Sequence, residues 1–291
     1  MVTPVRQKIR REAIIGLSKM CLKRASVDYL GLRLEFPLIY GMGRGYIIPR
    51  EFWFRKCLEV FLKRKLGAVI DVGANVGVYL VNLRTIDKDR PYYGFEPSPA
   101  GMFYLHELIR LNSFSSTYVL PFALSDKKEV RTLFARKRGD SMASIHEFIN
   151  QDRNFSLKIL TFQGDDVLGS LAIAEVAVIK IDVEGAELEV MHGLKATIER
   201  HRPYIHCEVW PLPEKDDPIY SEKERRLTKM LQLLETLGYC VLGMRRDDTW
   251  TELRAIEDFA DGYSCEYVFA PSETSRALMQ ELSLKRDRIQ R

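Results

Sequence analysis

Asp71, Gly73, Asn75 and Gly77 follow one another at the end of an apolar run, and Glu96 closes the next such run. Glycines at a turn of this kind let the backbone approach a ligand where a side chain would block it. The amide end of a helix starting near Val76 points at the same place. A carboxylate ending the neighbouring strand can accept hydrogen bonds from both hydroxyls of a ribose. The chemistry indicated is recognition of a nucleoside; a ligand-free turn of a parallel sheet is the plainer reading. A dinucleotide calls for Gly-x-Gly-x-x-Gly, with a pyrophosphate against the second glycine, and that position is Asn75. The looser spacing Asp71-x-Gly73-x-x-x-Gly77 suits S-adenosylmethionine, which has no phosphate and whose ammonium an acid such as Asp71 would meet.

A second set of acids ends two later apolar runs. Val176 to Gly185 finishes in Asp182 and Glu184, and Tyr204 to Val209 carries His206 and Glu208. Asp182 and Glu184 are candidates to face an acceptor, one of them as general base. With Glu208 they would alternatively supply the all-oxygen ligands of a divalent metal. A third reading has Glu184 only tying down loop amides. His206 shares a strand face with Glu208 by period-2 alternation, which makes it the other candidate base, although a lone strand histidine is more often packed.

The segments Asp71-Val-Gly-Ala-Asn-Val-Gly77, Phe95-Glu-Pro-Ser-Pro99, Ala123-Leu-Ser-Asp126, Lys180-Ile-Asp-Val-Glu-Gly-Ala-Glu187 and Glu208-Val-Trp210 occur in this order. In them the chain resembles the FkbM-type methyltransferases, over about residues 66–210. The resemblance implies S-adenosylmethionine-dependent transfer of a methyl group to a hydroxyl of a sugar or glycan, a polyketide or a related small metabolite. On that frame Gly73, Ala74 and Asn75 would hold the methionine part and Gly77 the turn. Glu96 with Pro97 would hold the ribose, and Leu124, Ser125 and Asp126 would lie at the adenine edge. The alternative is a non-catalytic nucleotide- or glycan-binding module on the same fold. The resemblance leaves the acceptor, the oligomeric state and any metal dependence open.

These residues need a particular scaffold. Apolar runs at 68–72, 92–96, 117–124, 176–182, 204–209, 239–244 and 265–270 read as strands, with helices between most of them. Ser98-Pro99 is an N-cap followed by a first-turn proline, Gly193 should break the helix over 185–200, and Ser221-x-x-Glu224 reads as a capping box. The expected fold is α/β: a doubly wound, mostly parallel, seven-stranded Rossmann-like methyltransferase sheet. Short extra strands are expected at 130–135 and 159–162, flanking a loop with Ser141 and Ser144. Residues 1–66 read as an N-terminal helical and aromatic extension, 67–272 as the methyltransferase domain, and 273–291 as a basic, mobile tail. The aromatics of the extension (Tyr29, Phe36, Tyr40, Tyr46, Phe52, Trp53, Phe54, Phe61) read either as core or as a wall of the acceptor pocket.

Composition sets the outer bounds. The chain has 291 residues, 46% hydrophobic and 29% charged, as in ordinary globular proteins. The net charge is +4, and it is concentrated at the start: Arg6, Lys8, Arg10, Arg11, Lys19, Lys23 and Arg24 face a single acid, Glu12. Such a segment suits a solvated packed helix, peripheral contact with an anionic membrane, or organelle targeting. The near-neutral remainder has no basic stripe interleaved with aromatics, which argues against a nucleic-acid partner. Five cysteines are scattered without C-x-x-C spacing, so reduced thiols and a cytoplasmic location are expected. No run approaches the ~20 apolar residues that span a bilayer.

Overall fold

The structure, a computed structural model, describes residues 23–39, 42–43, 53–136, 140, 142–146, 155–245, 249–254 and 263–284. The basic start up to Lys19, Tyr40, Tyr46, Phe52 and Ser141 lie outside the described residues, so expectations placed on them remain expectations. The centre of the fold is β3 (Ala68–Val72), buried at every position. Total burial explains its unbroken apolar character, because helices cover both faces of a parallel strand. It pairs in parallel with β4 (Tyr92–Phe95) on one side and β9 (Val176–Ile181) on the other. β5 (Thr117–Leu120) extends the sheet beyond β4, and β10 (Tyr204–Glu208) extends it beyond β9, again in parallel.

Beyond β10 the ladder becomes antiparallel. β13 (Tyr263–Pro271) inserts between β10 and β11 (Tyr239–Arg245), and β12 (Trp250–Leu253) closes that edge. The order is β12-β11-β13-β10-β9-β3-β4-β5, a mixed sheet of 8 strands rather than the expected seven. The extra strand is a four-residue edge segment, Trp-Thr-Glu-Leu, too short for a periodic signal. The expected strand over 117–124 is also two strands. Pro121 has no amide hydrogen for a ladder, and the chain leaves the main sheet there to form β6 (Ala123–Ser125). β6 joins β7 (Glu129–Ala135) and β8 (Phe155–Gln163) in a separate three-stranded sheet, order β6-β8-β7.

Both faces of the main sheet are covered. On one face lie α4 (Gly164–Ser170), α5 (Glu187–Gly193), α6 (Lys195–His201) and α7 (Tyr220–Thr236), whose Leu168, Met191, Ile198 and Leu234 pack with Ile70, Ile179 and Ile205. On the other face, α1 (Trp53–Arg64), α2 (Val78–Ile86) and α8 (Ser272–Leu284) bring Leu58, Phe61, Leu80 and Leu278 against Val69, Val178 and Val268. Gly193 divides α5 from α6; a Cβ there would lie 1.9 Å from the Ser125 carbonyl oxygen. α7 starts at Tyr220 with no side-chain cap, so Ser221 is not the capping residue expected.

Two expectations about the ends change. Residues 24–37 are not helical: β1 (Arg24–Tyr29) and β2 (Leu32–Pro37) form an antiparallel hairpin. Its two-residue turn places Leu30 and Gly31 at φ 48° and 89°, the left-handed geometry that matches strand twist in tight hairpins. The hairpin buries Val27, Tyr29, Leu34 and Phe36 against Tyr104 and Leu108 of α3 (Pro99–Asn112). The supposed tail is likewise structured as far as Leu284, because Leu278 and Leu282 lie on one face of α8 and are buried beneath α1.

Candidate functional site

The strand ends β3, β4 and β9 open into a cleft, and the glycine turn after β3 forms its floor. Gly73, Asn75 and Gly77 all have positive φ, at 82°, 47° and 77°. At Gly73 a Cβ would lie 1.9 Å from the Asp182 carbonyl oxygen, so this glycine is required by the close approach of the β9 turn. Gly77 caps α2 and packs against Leu105 and Leu108. Its role is the turn, and it does not line the cleft.

Glu96 sits just past β4 and is buried. One of its oxygens accepts the Asn75 amide at 2.8 Å and the other the Ser98 amide at 2.8 Å. Ser98 in turn caps α3, its hydroxyl accepting from the Gly101 amide. Burial pushes the Glu96 carboxyl up to about 7, against the lowering effect of the two amides. Gly101 leaves room for it, since a Cβ there would be 2.8 Å from Glu96 Cγ.

Around Glu96 the cleft is lined by Gly73, Asn75, Pro97 and Leu124, with Leu133 and Ile159 from the small sheet. A short segment carrying Ala143 and Ile145 closes that side. Ser144 fixes it there through reciprocal backbone hydrogen bonds with Phe134, at 2.8 and 3.0 Å. A buried carboxylate at the floor, backbone beside it and an apolar slot above match a nucleoside's paired hydroxyls and its flat base. S-adenosylmethionine fits the residues present; Glu96 would then face its ribose.

Other expected cofactor residues are near but not in the cleft. Asp71 is fully buried beneath it: Tyr92 donates to Oδ2 at 2.6 Å, and the Lys180 ammonium lies 3.3 Å from Oδ1. It is therefore not placed to meet a ligand's ammonium. Ala74, Ser125 and Asp126 do not line the cleft either, because the chain turns from β6 at that point and Ser125 is buried against Gly193.

The second wall is the turn after β9. Asp182 and Glu184 both line the cleft, with Glu184 at φ 52° and Gly185 at φ 100°. A non-glycine residue in this region is uncommon and marks a constrained turn. The Trp210 indole donates to Glu184 Oε2 at 3.1 Å. Burial, reinforced by the neighbouring Asp182 charge, pushes Glu184 up to about 7. Glu208 does not reach the cleft. It stands behind Asp182, hydrogen-bonded to it and 3.3 Å from Cys265 Sγ, and burial with the Asp182 and Glu266 charges pushes it up to about 8.

His206 is elsewhere: it is buried 2.5 Å from Glu266, beside the stacked rings of Phe54 and Tyr79. It is a packed residue, which removes it from the candidate bases. Phe54 and Phe61 of the aromatic extension are likewise core. Among the described residues no three His, Cys, Asp or Glu side chains are grouped to hold a metal ion, so Asp182, Glu184 and Glu208 do not form the suggested metal set.

Lys180, which the sequence places only in the family-like segment Lys180 to Glu187, connects the two walls. Its ammonium donates to the Gly73 carbonyl at 2.8 Å and bridges Asp71 and Asp182, the latter at 3.1 Å. Burial alone would lower it, but Asp182 and Asp71 outweigh that effect and hold it above the ordinary lysine range. The alternating apolar residues of β7 and β8 were the available signal for Leu133 and Ile159 in the cleft wall. No periodicity marked Ala143 and Ile145.

In open α/β sheets ligands bind outside the carboxyl ends of the strands, which is where this cleft lies. The sequence narrows this further: residues 71–241 match the methyltransferase FkbM domain model, and the chain belongs to that methyltransferase family. Membership implies use of S-adenosylmethionine. A relative, Methyltransferase 1 of Beauveria bassiana (strain ARSEF 2860), is 24% identical over 217 residues, which cover 69% of this chain and 83% of that protein. Among solved structures, methyltransferase FkbM from Methylobacillus flagellatus KT aligns with a TM-score of 0.44 and 17% identity. That alignment covers 70% of this chain and 43% of that one. A putative caffeoyl-CoA O-methyltransferase from Staphylococcus aureus aligns with a TM-score of 0.47 at 8% identity, over 90% of this chain and 98% of that one.

Proposed function

We propose that this protein is an O-methyltransferase that places a methyl group on a hydroxyl of a sugar, glycan or related small metabolite. The observation that carries this reading is the place of Glu184, a buried carboxyl that lines the cleft and accepts from the Trp210 indole; burial pushes it up to about 7. An alcohol must lose its proton as it attacks, and a base near neutrality is best matched to that task. When bound, S-adenosylmethionine supplies an electrophilic methyl group. Glu184 accepts the hydroxyl proton, and the Trp210 indole holds its other contact in place. Glu96 orients the nucleoside by its ribose, and Leu124, Leu133 and Ile159 exclude water from the base.

The test is turnover with methyl-labelled S-adenosylmethionine against a panel of hydroxyl compounds, with products identified by mass spectrometry. Methyl ethers should form, and Glu184→Gln should lower kcat by about 10²–10⁴-fold while cofactor affinity stays within the error of the measurement. Methyl groups found only on nitrogen or carbon, or a Glu184→Gln variant as active as the parent, would overturn the reading.

A further inference from the structure

A second cavity, of about 280 Å³, lies on the far side of the β9 turn from the nucleoside cleft. The two share a partition: Glu184 lines the first, Trp210 lines the second, and the indole-to-carboxylate hydrogen bond of 3.1 Å joins them. Gly185, next to Glu184, lines the second cavity directly. Its walls are apolar, with Leu188, Leu212, Leu227 and Met230 contributing, and its size is close to the lower end of small-ligand sites, ~300 Å³.

Three charged side chains line this cavity, and two of them are already engaged. Glu187 Oε1 accepts the Gly185 amide at 2.7 Å. Arg226 donates to the Gly185 carbonyl at 2.9 Å and pairs with Glu189, one of these contacts at 2.8 Å. Lys223 is different. It occupies the face of α7 that also carries Arg226, Leu227 and Met230, and among the described residues its ammonium makes no ion pair or side-chain hydrogen bond. Partial burial pushes it below the ordinary lysine range, with Asp217 and Glu187 acting weakly the other way. A partly dehydrated cation beside an apolar chamber is the complement of an anionic group on an apolar body.

We infer that this cavity is the acceptor site, and that the acceptor is a hydroxyl compound with an apolar ring or chain body and one acidic group that pairs with Lys223. The inference rests on the methyl-transfer reading, because only that reading makes the cavity behind Glu184 an acceptor site. The hydroxyl would enter past Trp210 toward Glu184, and the acid would remain on the α7 side. This narrows the acceptor class from neutral sugars to amphiphilic hydroxy acids or their phosphate equivalents.

The experiment uses two fluorescent hydroxyl probes that differ by one carboxylate, 6-hydroxy-2-naphthoate and 2-naphthol. Each is titrated calorimetrically into the full chain with and without S-adenosylhomocysteine. The acid should bind about ten- to a hundredfold tighter than the naphthol, the increment of one charge-assisted hydrogen bond. Lys223→Met should erase that preference without refilling the cavity. Met230→Trp should abolish binding of both probes by occupying the chamber. Equal affinities in the parent, a preference that survives Lys223→Met, or undiminished binding to a folded Met230→Trp protein would overturn the inference. Lys223→Met keeps the test decisive should the tryptophan variant fail to fold. The S-adenosylhomocysteine titration separates the two levels. Its failure in the parent would remove the methyl-transfer reading, whereas its success beside indifferent probes would remove only this acceptor assignment.

Discussion

Replacing Glu96 by glutamine should weaken the cofactor and abolish the pH dependence expected of the parent protein. Both Glu96 oxygens already accept a backbone amide at 2.8 Å, from Asn75 and Ser98. Ribose hydroxyls would add further donors, and a carboxylate has lone pairs left for them. A glutamine has only one oxygen, so its NH₂ must face a backbone N–H. That leaves a buried donor unsatisfied, at a stability cost of about 1–3 kcal/mol. Loss of the charge-assisted ribose contacts, about 1.5–3 kcal/mol, should weaken S-adenosylhomocysteine by roughly ten- to a hundredfold at pH 8.

The pH dependence follows from the same group. Glu96 is held up at about 7 in the free protein by burial, and the hydroxyls bind its ionised form best. Affinity in the parent should therefore rise about tenfold from pH 6 to 8 and level off above that, because a group of this pKa goes from mostly protonated to mostly ionised. Calorimetric titration at pH 6, 7 and 8, with thermal unfolding measured in parallel, reads both effects. A pH-independent parent affinity, or a Glu96→Gln protein that binds like the parent at pH 8, would refute the assignment of Glu96 to the ribose.

Three further outcomes are expected. Gly73→Ala puts a Cβ at φ 82° and 1.9 Å from the Asp182 carbonyl; backbone strain and overpacking should each cost about 1–3 kcal/mol, and an unchanged Tm would contradict the close approach. Leu278→Ala removes a fully buried side chain from α8 and should cost about 2–5 kcal/mol in urea unfolding, whereas a mobile tail would show no effect. Glu208 is raised to about 8, and Glu184 and Glu187 to about 7. The folded protein thus holds protons that the unfolded chain releases above the ordinary carboxyl range, and stability is lost as pH rises from about 4.5 toward 8. Thermal unfolding across that window should show Tm falling with pH in the parent and falling less in Glu208→Gln, and a slope unchanged by the substitution would count against the buried acid.

The central sheet was legible because its strands are buried on both faces, and continuous apolar runs such as Ala68 to Val72 and Val176 to Ile181 leave few other options. Glu96, Asp182 and Glu184 were legible for a related reason: a parallel sheet gathers its strand ends on one edge, so acids closing those runs must meet. Which way each acid faces was not. Asp71 and Glu96 both occur at strand ends, yet Asp71 lies within β3 and is taken by Lys180 and Tyr92, while Glu96 lies one residue past β4 and turns into the cleft. Period-2 alternation paired His206 with Glu208 but could not show that Glu266, across the antiparallel ladder, would hold the histidine. The hairpin over 24–37 was missed although Leu32 to Phe36 alternates apolar and charged residues, because its two short strands lie next to the basic start and their burial depends on α3, distant in sequence.

Lys180 explains how the two walls of the site keep their spacing. Burying an ammonium between carboxylates costs about several kcal/mol in lost hydration and is seldom favourable for stability alone. Here the ammonium contacts Asp71 on β3, the carbonyl of Gly73 in the cofactor turn and Asp182 in the turn opposite. The Tyr92 hydroxyl completes the shell of Asp71 at 2.6 Å. Gly73, lacking a Cβ, lets the Asp182 carbonyl come against it, so the two turns are in contact through backbone as well as through the lysine. Neither turn can shift without breaking a buried ion pair or opening that contact. In-line transfer between a donor on one wall and an acceptor on the other tolerates little error, since a misplacement of ~1 Å costs about 10²-fold in rate. The network thus fixes the spacing of the Gly73 turn and the Asp182 turn, and with it the separation of Glu96 from Glu184.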